Sequence, residues 1–202
     1  MPAVVLLEGR SDVAAVRAVA TTSGLPPDAY RLVDMGGVTN IRRQLASLGG
    51  EQVLGMCDAG EAHVVARALR IGEEELAEHG FSVCDADLED ELIRACGHDR
   101  VLDVLDRLGL GERFATFRNQ PTWRGRPLGD QLHRFAGTTS GRKSLFAAAL
   151  AAELVPDQVP EPLSRLLERI AEAARRTSAH AVSIATTPAG RASPSAKPPR
   201  AR

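Results

Sequence analysis

The sequence has no long apolar run, and this absence excludes a membrane-spanning segment. Of its 202 residues 44% are hydrophobic, but no stretch of about 18 apolar residues occurs anywhere. The first seven residues carry no basic segment and lead directly into Glu8, so we expect no secretory signal peptide. These features predict a cytoplasmic protein that makes no contact with a membrane.

Cysteine is also scarce. The three cysteines are an odd number without CxxC spacing, which argues against a disulfide framework and a zinc site. Cys57 and Cys84 lie in apolar, strand-like runs, where free thiols behave as small buried hydrophobic groups. The five histidines lack ligand spacing, and no role is assigned to them: His63, His79, His98, His133 and His180.

The chain lacks the excess of basic residues that gives DNA-binding proteins a bulk electrostatic attraction. It has 25 Lys and Arg against 26 Asp and Glu. Four of the basic residues and none of the acids lie in 177–202, so 21 basic residues face 26 acids in 1–176, a net charge of −5. Any nucleic-acid contact must therefore be local. The Ala-, Ser- and Pro-rich tail over 177–202 is predicted to be disordered, as a solvated end or a weak basic arm.

Strand and helix patterns do alternate over about the first hundred residues. Four short apolar runs predict buried strands, at residues 3–7, 30–35, 52–57 and 80–84. Helical patterns follow, the first with Ser11 as its predicted N-cap and the second with Thr39 or Asn40. A short helix is expected around residues 73–78. Strands that alternate with helices predict a parallel sheet with right-handed crossovers.

Beyond residue 97 the patterns are helical only. Amphipathic helices are predicted at residues 101–108, 128–135, 144–154 and 162–175, with a Pro- and Gly-rich loop at 119–127. We therefore divide the chain into an α/β domain over 1–97, an all-helical C-terminal appendage over 98–176, and the tail. The sequence leaves open whether the appendage folds independently.

Acidic residues follow three of the predicted strands. Glu8 follows the first, Asp58 the third, and Asp87 with Glu89 the fourth. Because the carboxyl ends of parallel strands line the ligand-binding crevice of an α/β sheet, these carboxylates can converge. Converging carboxylates repel one another unless a cation lies between them, and Mg²⁺ and Mn²⁺ prefer oxygen ligands. The pattern predicts a metal site at this edge of the sheet.

Four motifs carry a resemblance to a known family. They are EGRSD over residues 8–12, GGVTN over 36–40, CDAGE over 57–61 and DLEDE over 87–91. In this order they resemble the TOPRIM domain of the OLD (overcoming lysogenization defect) family nucleases, over about residues 3–96 and more loosely as far as Lys143. The resemblance implies a TOPRIM-like Rossmannoid sheet and Mg²⁺- or Mn²⁺-dependent phosphodiester chemistry. It favours a nuclease that acts on DNA over a primase-like nucleotidyl transferase, for which we find no nucleotide site.

The resemblance also implies a role for each acid. It makes Glu8 and Asp58 ligands of one ion. It also makes Glu8 a catalytic residue. It assigns a second ion to Asp12, Asp87 and Glu89. Lys143 would neutralise the charge that develops on the phosphate in the transition state. With two ions the implied mechanism is a two-metal hydrolysis, in which the ions clamp the attacking and leaving oxygens.

The chain departs from the family at two points. Many TOPRIM proteins have Asp-x-Asp at the third strand, whereas here Gly60 replaces the second Asp and Glu61 follows as a candidate ligand. OLD nucleases also carry an ATPase domain with a GxxxxGK[ST] phosphate loop, and this sequence contains no such motif. The alternative prediction is a non-catalytic metal- or nucleotide-binding module that works with a separate ATPase or another partner.

Further residues are candidates for substrate binding. Backbone N–H groups of Gly37, Thr39 and Asn40 either approach a phosphate at a helix N-terminus or form a plain turn with an N-cap. Trp123 either stacks on a base of single-stranded nucleic acid or docks on the helical layer. The remaining candidates are cations: Arg42, Arg124 and Arg142.

Overall fold

A four-stranded parallel sheet forms the centre of the fold. The computed structural model describes residues 2–138 and 143–185. The sheet has the strand order β2-β1-β3-β4. Its strands are β1 (Ala3–Leu7), β2 (Tyr30–Asp34), β3 (Val53–Asp58) and β4 (Phe81–Cys84). Each observed strand agrees with its predicted run to within one residue at either end, so the predicted α/β class with a parallel sheet is confirmed.

Helices flank the sheet and make up most of the rest of the described chain. They are α1 (Arg10–Thr22), α2 (Ile41–Ser47), α3 (Ala62–Leu69), α4 (Leu88–Cys96), α5 (His98–Arg107), α6 (Gly111–Arg118), α7 (Leu128–Thr138), α8 (Lys143–Ala152) and α9 (Glu161–Ala185). The short helix expected around 73–78 is a 3-10 helix over Glu73–Glu75. Helix α6 was not predicted, because Phe114 is its one buried residue and no amphipathic repeat marks it. Within the described residues, no helix combines the length and apolar character needed to cross a membrane.

The predicted cap of α1 is wrong. The helix begins at Arg10, with Gly9 as its N-cap, and Ser11 lies buried within the first turn. The N–H of Gly9 donates a hydrogen bond to Asp12 Oδ2 at 2.9 Å. The Asp12 carboxylate accepts the N–H of the N-cap residue, as the third helical residue does in a capping box. The same hydrogen bond fixes the Asp12 side chain.

Alternate residues of β1 enter two hydrophobic cores, one on each face of the sheet. Val4 and Leu6 pack with α2 and α3 on one face. Val5 and Leu7 pack on the other face with α1 and with the helices that follow β4, α9 among them. The predicted helical appendage therefore shares a core with the sheet, while its boundary at residue 97 stays a prediction. Helix α9 extends nine residues into the predicted tail, and residues 186–202 lie outside the described part.

Small side chains let α1 and α8 pack closely. Ala15 of α1 and Ala147 and Ala151 of α8 are buried in the same core. Lys143 is the first residue of α8, and Asp12 lies in the first turn of α1. The charge of each residue shifts the pKa of the other, as expected when the first turns of the two helices are neighbours.

The three cysteines are free and buried. Burial is the largest cause that raises the pKa of the Cys57 thiol to about 12 and that of Cys96 to about 11. A thiol that stays protonated is a poor nucleophile and a poor metal ligand. The prediction of Cys57 and Cys84 as small buried hydrophobic groups is confirmed.

Gly55 of β3 is expected not to tolerate a side chain. A Cβ at this position would lie 2.2 Å from the Phe81 ring and 3.0 Å from the Leu6 carbonyl oxygen. Because Phe81 is buried, Gly55→Ala should lower the free energy of unfolding by about 1–3 kcal/mol in urea denaturation. Gly137→Ala is the control, since nothing lies within 4 Å of its added Cβ, and its stability should stay unchanged or rise. Equal effects of the two substitutions would contradict this packing.

Candidate metal centre

Three carboxylates converge at the carboxyl edge of the sheet. Glu8 follows β1, Asp58 is the last residue of the neighbouring β3, and Glu61 ends the 3-10 helix Ala59–Glu61. One carboxylate oxygen from each of the three lies within 4.8 Å of the others. Oxygens this close can ligate one Mg²⁺ or Mn²⁺ ion. We call Glu8, Asp58 and Glu61 the acidic trio.

The trio carries more negative charge than its surroundings neutralise. The pKa of Glu61 is raised to about 8. Burial is the largest cause, and a hydrogen bond with Glu8 and the charge of Glu8 follow. Its Oε2 is buried and has no hydrogen-bond partner among the described residues. A buried carboxylate oxygen without a donor is costly, and a divalent cation would compensate it. The residues present therefore fit a bound ion.

Asp12 and Asp58 show the same excess of negative charge. Burial is the largest cause that raises the pKa of each carboxyl to about 7. The charge of Glu89 raises both values further, and the charge of Lys143 lowers both. Acids on β3, α1 and α4 thus influence one another, which places them around one site.

Lys143 is a cation whose charge acts on both Asp12 and Asp58. Its Nζ lies 3.0 Å from Glu89 Oε1, and the Glu89 side chain is 6% exposed while that of Lys143 is 46% exposed. That oxygen accepts no well-aligned hydrogen bond, so the contact is best described as an ion pair. Burial works to lower the pKa of Lys143, but the combined effect of Glu89, Asp12 and Asp87 outweighs it, so the pKa is raised. Lys143 is therefore a protonated ammonium group at neutral pH.

Asp87 has both carboxylate oxygens engaged. It is the N-cap of α4, and its Oδ1 accepts a hydrogen bond from the Asp90 N–H at 2.8 Å. Its Oδ2 lies 2.7 Å from Nε2 of His133 in α7. Of the two acids Asp87 and Glu89, only Asp87 has the extended backbone that precedes α4, because Glu89 lies in the first turn of the helix.

A cavity of about 190 Å³ lies beside Lys143 and Glu89. It is lined by Asp87, Glu89, His133, Arg134, Gly137 and Lys143. Three of these side chains are basic and two are acidic, and they come from α4 with its N-cap, from α7 and from α8. The cavity therefore combines groups that attract a phosphate with acids that can hold a cation.

A larger cavity, of about 590 Å³, lies away from the acidic trio. Gln52 and Gly80, which line it, stand just before β3 and β4, at the opposite edge of the sheet. Its walls carry three arginines and three glutamates, which balance in charge: Arg165, Arg169, Arg176, Glu78, Glu168 and Glu172. No member of the trio contributes to it, so the larger volume does not identify the functional site.

The GGVTN segment forms a glycine turn at the end of β2. Gly37 has a φ of 110°, and its N–H donates to the Glu8 carbonyl oxygen at 2.9 Å. Of the two predicted caps, Asn40 occupies the N-cap position of α2, although its side chain makes no cap hydrogen bond, and Thr39 lies within a 3-10 helix. Asn40 Nδ2 instead donates to the carbonyl groups of Met35 and Gly36. Phosphate binding by this turn stays a prediction.

The predicted cations and the tryptophan lie on several elements. Trp123 stacks on Phe117 with ring centroids 5.2 Å apart, as the docked interpretation predicts. Arg124 donates to the Asn119 carbonyl oxygen at 3.1 Å, and Arg42 is exposed on α2. Arg142 lies outside the described residues. Substrate contact by any of them stays a prediction.

The structure brings one part of the predicted set of acids together. Glu61, a secondary candidate by sequence, joins Glu8 and Asp58. Asp12, Asp87 and Glu89 do not form a comparable group among the described residues, although charges link Asp12 with Glu89. His133 was missed, because no local pattern indicates that a histidine in a helix some 45 residues later will contact Asp87.

Two solved structures share this architecture. The C-terminal region of the Burkholderia pseudomallei OLD protein matches with a TM-score of 0.66 and 20% identity, covering 85% of this chain and 98% of that one. The C-terminal region of the Xanthomonas campestris pv. campestris OLD protein matches with a TM-score of 0.65 and 22% identity, covering 89% and 96%. No protein-family model and no curated protein matches the chain. The chain therefore has the OLD-like TOPRIM fold, that of the C-terminal region of OLD proteins.

Proposed function

We propose that this chain is a metal-dependent nuclease of the OLD type that hydrolyses phosphodiester bonds in DNA. The observation that carries the proposal is the acidic trio, with ligand atoms within 4.8 Å of one another at the carboxyl edge of a parallel sheet. The shared fold with the C-terminal regions of two OLD proteins supports it. The ion is Mg²⁺ or Mn²⁺, since the trio offers only oxygen atoms.

In this proposal the trio holds the first ion, and Asp12, Asp87 and Glu89 hold a second. A bound divalent ion supplies Lewis-acid polarisation of the phosphoryl oxygen and activation of water. The protein's own residues orient the substrate and balance its charge. Lys143 is protonated and lies beside the acids, so its ammonium group is placed to stabilise charge that develops on the phosphate.

The basic groups of the 190 Å³ cavity give the substrate a local binding site on an acidic protein. Lys143, Arg134 and His133 line the cavity together. A phosphate bound there would lie next to the acids and would be held by short-range contacts. This agrees with a body whose net charge of −5 provides no long-range attraction for DNA.

Glu61→Gln tests the trio directly. We expect the variant to lose at least about tenfold in Mn²⁺ affinity by calorimetry, because a neutral amide replaces one of three converging carboxylates. Mn²⁺-dependent cleavage of plasmid and single-stranded DNA should fall with it. Glu112→Gln, an exposed position on α6, is the matched control and should behave as the wild type. Wild-type Mn²⁺ affinity in Glu61→Gln would remove Glu61 from the metal centre.

The second candidate function is a non-catalytic metal- or nucleotide-binding module that serves a separate ATPase or another partner. The ion pair of Glu89 with Lys143 favours it, because a paired acid is less available to a second ion. Mn²⁺ binding without cleavage of any DNA substrate would support this function over the nuclease. Cleavage that disappears in Lys143→Met would support the nuclease.

A further inference from the structure

We infer that His133 is a positioning residue that holds Asp87 in the orientation needed to bind the second ion. The inference rests on the proposed function, because it gives Asp87 a ligand's role. No feature of the sequence assigns His133 to the site, and it reaches the site only through the packing of α7 on α4. Its Nε2 lies 2.7 Å from Asp87 Oδ2.

The two hydrogen bonds of Asp87 fix its carboxylate and still leave it able to bind a cation. Oδ1 accepts from the Asp90 N–H, and Oδ2 accepts from His133. Because an ionised carboxylate only accepts, Nε2 of His133 must be the protonated nitrogen in this contact. A carboxylate offers about four lone-pair positions, so two remain for a metal ion. Partners of this kind orient the ligands of metal sites.

A purely structural role explains the pair less well. The side chains of Asp87 and His133 are 29% and 40% exposed, so water could satisfy both groups without the contact. Partly exposed pairs of this type contribute little to stability. The neighbours of His133 on α7, Leu132 and Ala136, are fully buried and already anchor the helix.

The same cavity suggests why the position matters. His133 lines it together with Glu89 and Lys143, so movement of Asp87 would change the group of charges that meets the substrate. The segment after residue 97 thus supplies both Lys143 and the residue that orients Asp87. The helical segment is part of the functional site in this inference.

His133→Ala and His133→Gln, made in the full chain, test the inference by Mn²⁺ titration followed by electron paramagnetic resonance. We expect His133→Ala to weaken the affinity of the second Mn²⁺ by about 10–100-fold. His133→Gln should restore most of it, since the terminal amide N–H can donate to Asp87 Oδ2. In an Asp87→Ala background, His133→Ala should have no further effect, because the residue acts through Asp87.

Three results would overturn the inference. Wild-type binding of Mn²⁺ by His133→Ala would remove the positioning role. Unchanged Mn²⁺ binding with a raised KM for DNA would show that His133 contacts the substrate instead. Glu8→Gln separates these results from a failure of the proposed function, since it should lose the first ion whatever His133 does. If Glu8→Gln also binds Mn²⁺ as the wild type does, the metal centre itself is wrong and the inference falls with it.

Discussion

Asp58→Asn is expected to abolish Mn²⁺ binding at the acidic trio, and cleavage with it, while it stabilises the metal-free protein. The variant loses a carboxylate of the acidic trio, so cleavage should fall by about three orders of magnitude or more, as several kcal/mol of transition-state stabilisation is lost. Without metal, however, the Asp58 carboxylate is buried near Glu8, Asp87 and Glu89 and is repelled by them. Removing that charge should raise the free energy of unfolding by about 1–2 kcal/mol at pH 8, after allowance for solvent screening.

The gain in stability should depend on pH with a defined sign. The pKa of Asp58 is raised to about 7 in the folded protein, above its ordinary value. The contribution of Asp58 to stability is therefore fully present below its unfolded pKa and is lost as the pH rises through the folded pKa. Asparagine does not titrate, so the advantage of Asp58→Asn should be absent near pH 4, grow to about pH 7 and stay constant above that.

Thermal denaturation at pH 5 and pH 8, in chelator and in Mn²⁺, measures both effects. In chelator the midpoint of Asp58→Asn should exceed that of the wild type at pH 8 by more than at pH 5. In Mn²⁺ the wild type should gain more stability than the variant, because only the wild type binds the ion at the acidic trio. Asp103→Asn, an exposed position on α5, is the control and should show neither effect. A variant that is less stable than the wild type in chelator at pH 8 would contradict the repulsion within the site.

The positions of the strand-end acids could be predicted because local patterns determine them. A strand buried on both faces must be apolar along its length, so runs such as Ala3–Leu7 stand out against polar flanks. The first acid after such a run lies at the edge of the sheet by geometry alone. This is why the sequence indicates Glu8 and Asp58 as site residues. Parallel pairing of β1 and β3 then places the two residues close together.

Contacts made by distant helices could not be predicted in the same way. The pairs Lys143–Glu89 and His133–Asp87 join residues about 50 positions apart, and the packing of α7 and α8 brings them together. An amphipathic pattern shows which face of a helix is buried but not which neighbour it meets. The family resemblance indicated Lys143 as a site residue, whereas no feature of the sequence indicated His133.

Competition between nearby donors and acceptors explains why α1 has a different cap and why the Asn40 side chain makes no cap hydrogen bond. Gly9 became the N-cap of α1 since the Asp12 carboxylate, three residues into the helix, accepts its N–H. Asn40 turned its amide to two backbone carbonyl groups of the glycine turn instead of to its own helix. Such choices depend on exact backbone geometry, which residue preferences do not contain.

Lys143→Met is expected to lower kcat by about 10²–10³-fold while the acidic trio still binds Mn²⁺. Methionine has nearly the length of lysine but no charge, so the change isolates the ammonium group. The trio consists of Glu8, Asp58 and Glu61, and none of them is paired with Lys143. A loss of kcat with little change in the affinity of the first ion is therefore the expected signature.

Lys143→Arg is the matched control. It keeps the positive charge beside Glu89 but changes the donor geometry, so we expect it to keep stability and part of the activity. Lys143→Met with wild-type kcat on both plasmid and single-stranded DNA would remove Lys143 from the mechanism. Loss of Mn²⁺ binding at the trio would instead show that Lys143 organises the acids.

The stability of Lys143→Met links the two ways in which Glu89 can be neutralised. The Glu89 side chain is 6% exposed, and the substitution leaves it without its cation, so the metal-free variant should lose about 1–3 kcal/mol of stability. If Glu89 also holds the second ion, Mn²⁺ should restore more stability to Lys143→Met than it adds to the wild type, because the ion then meets an uncompensated carboxylate. An equal Mn²⁺ effect on both proteins would mean that Glu89 serves Lys143 alone, and the site would hold one ion.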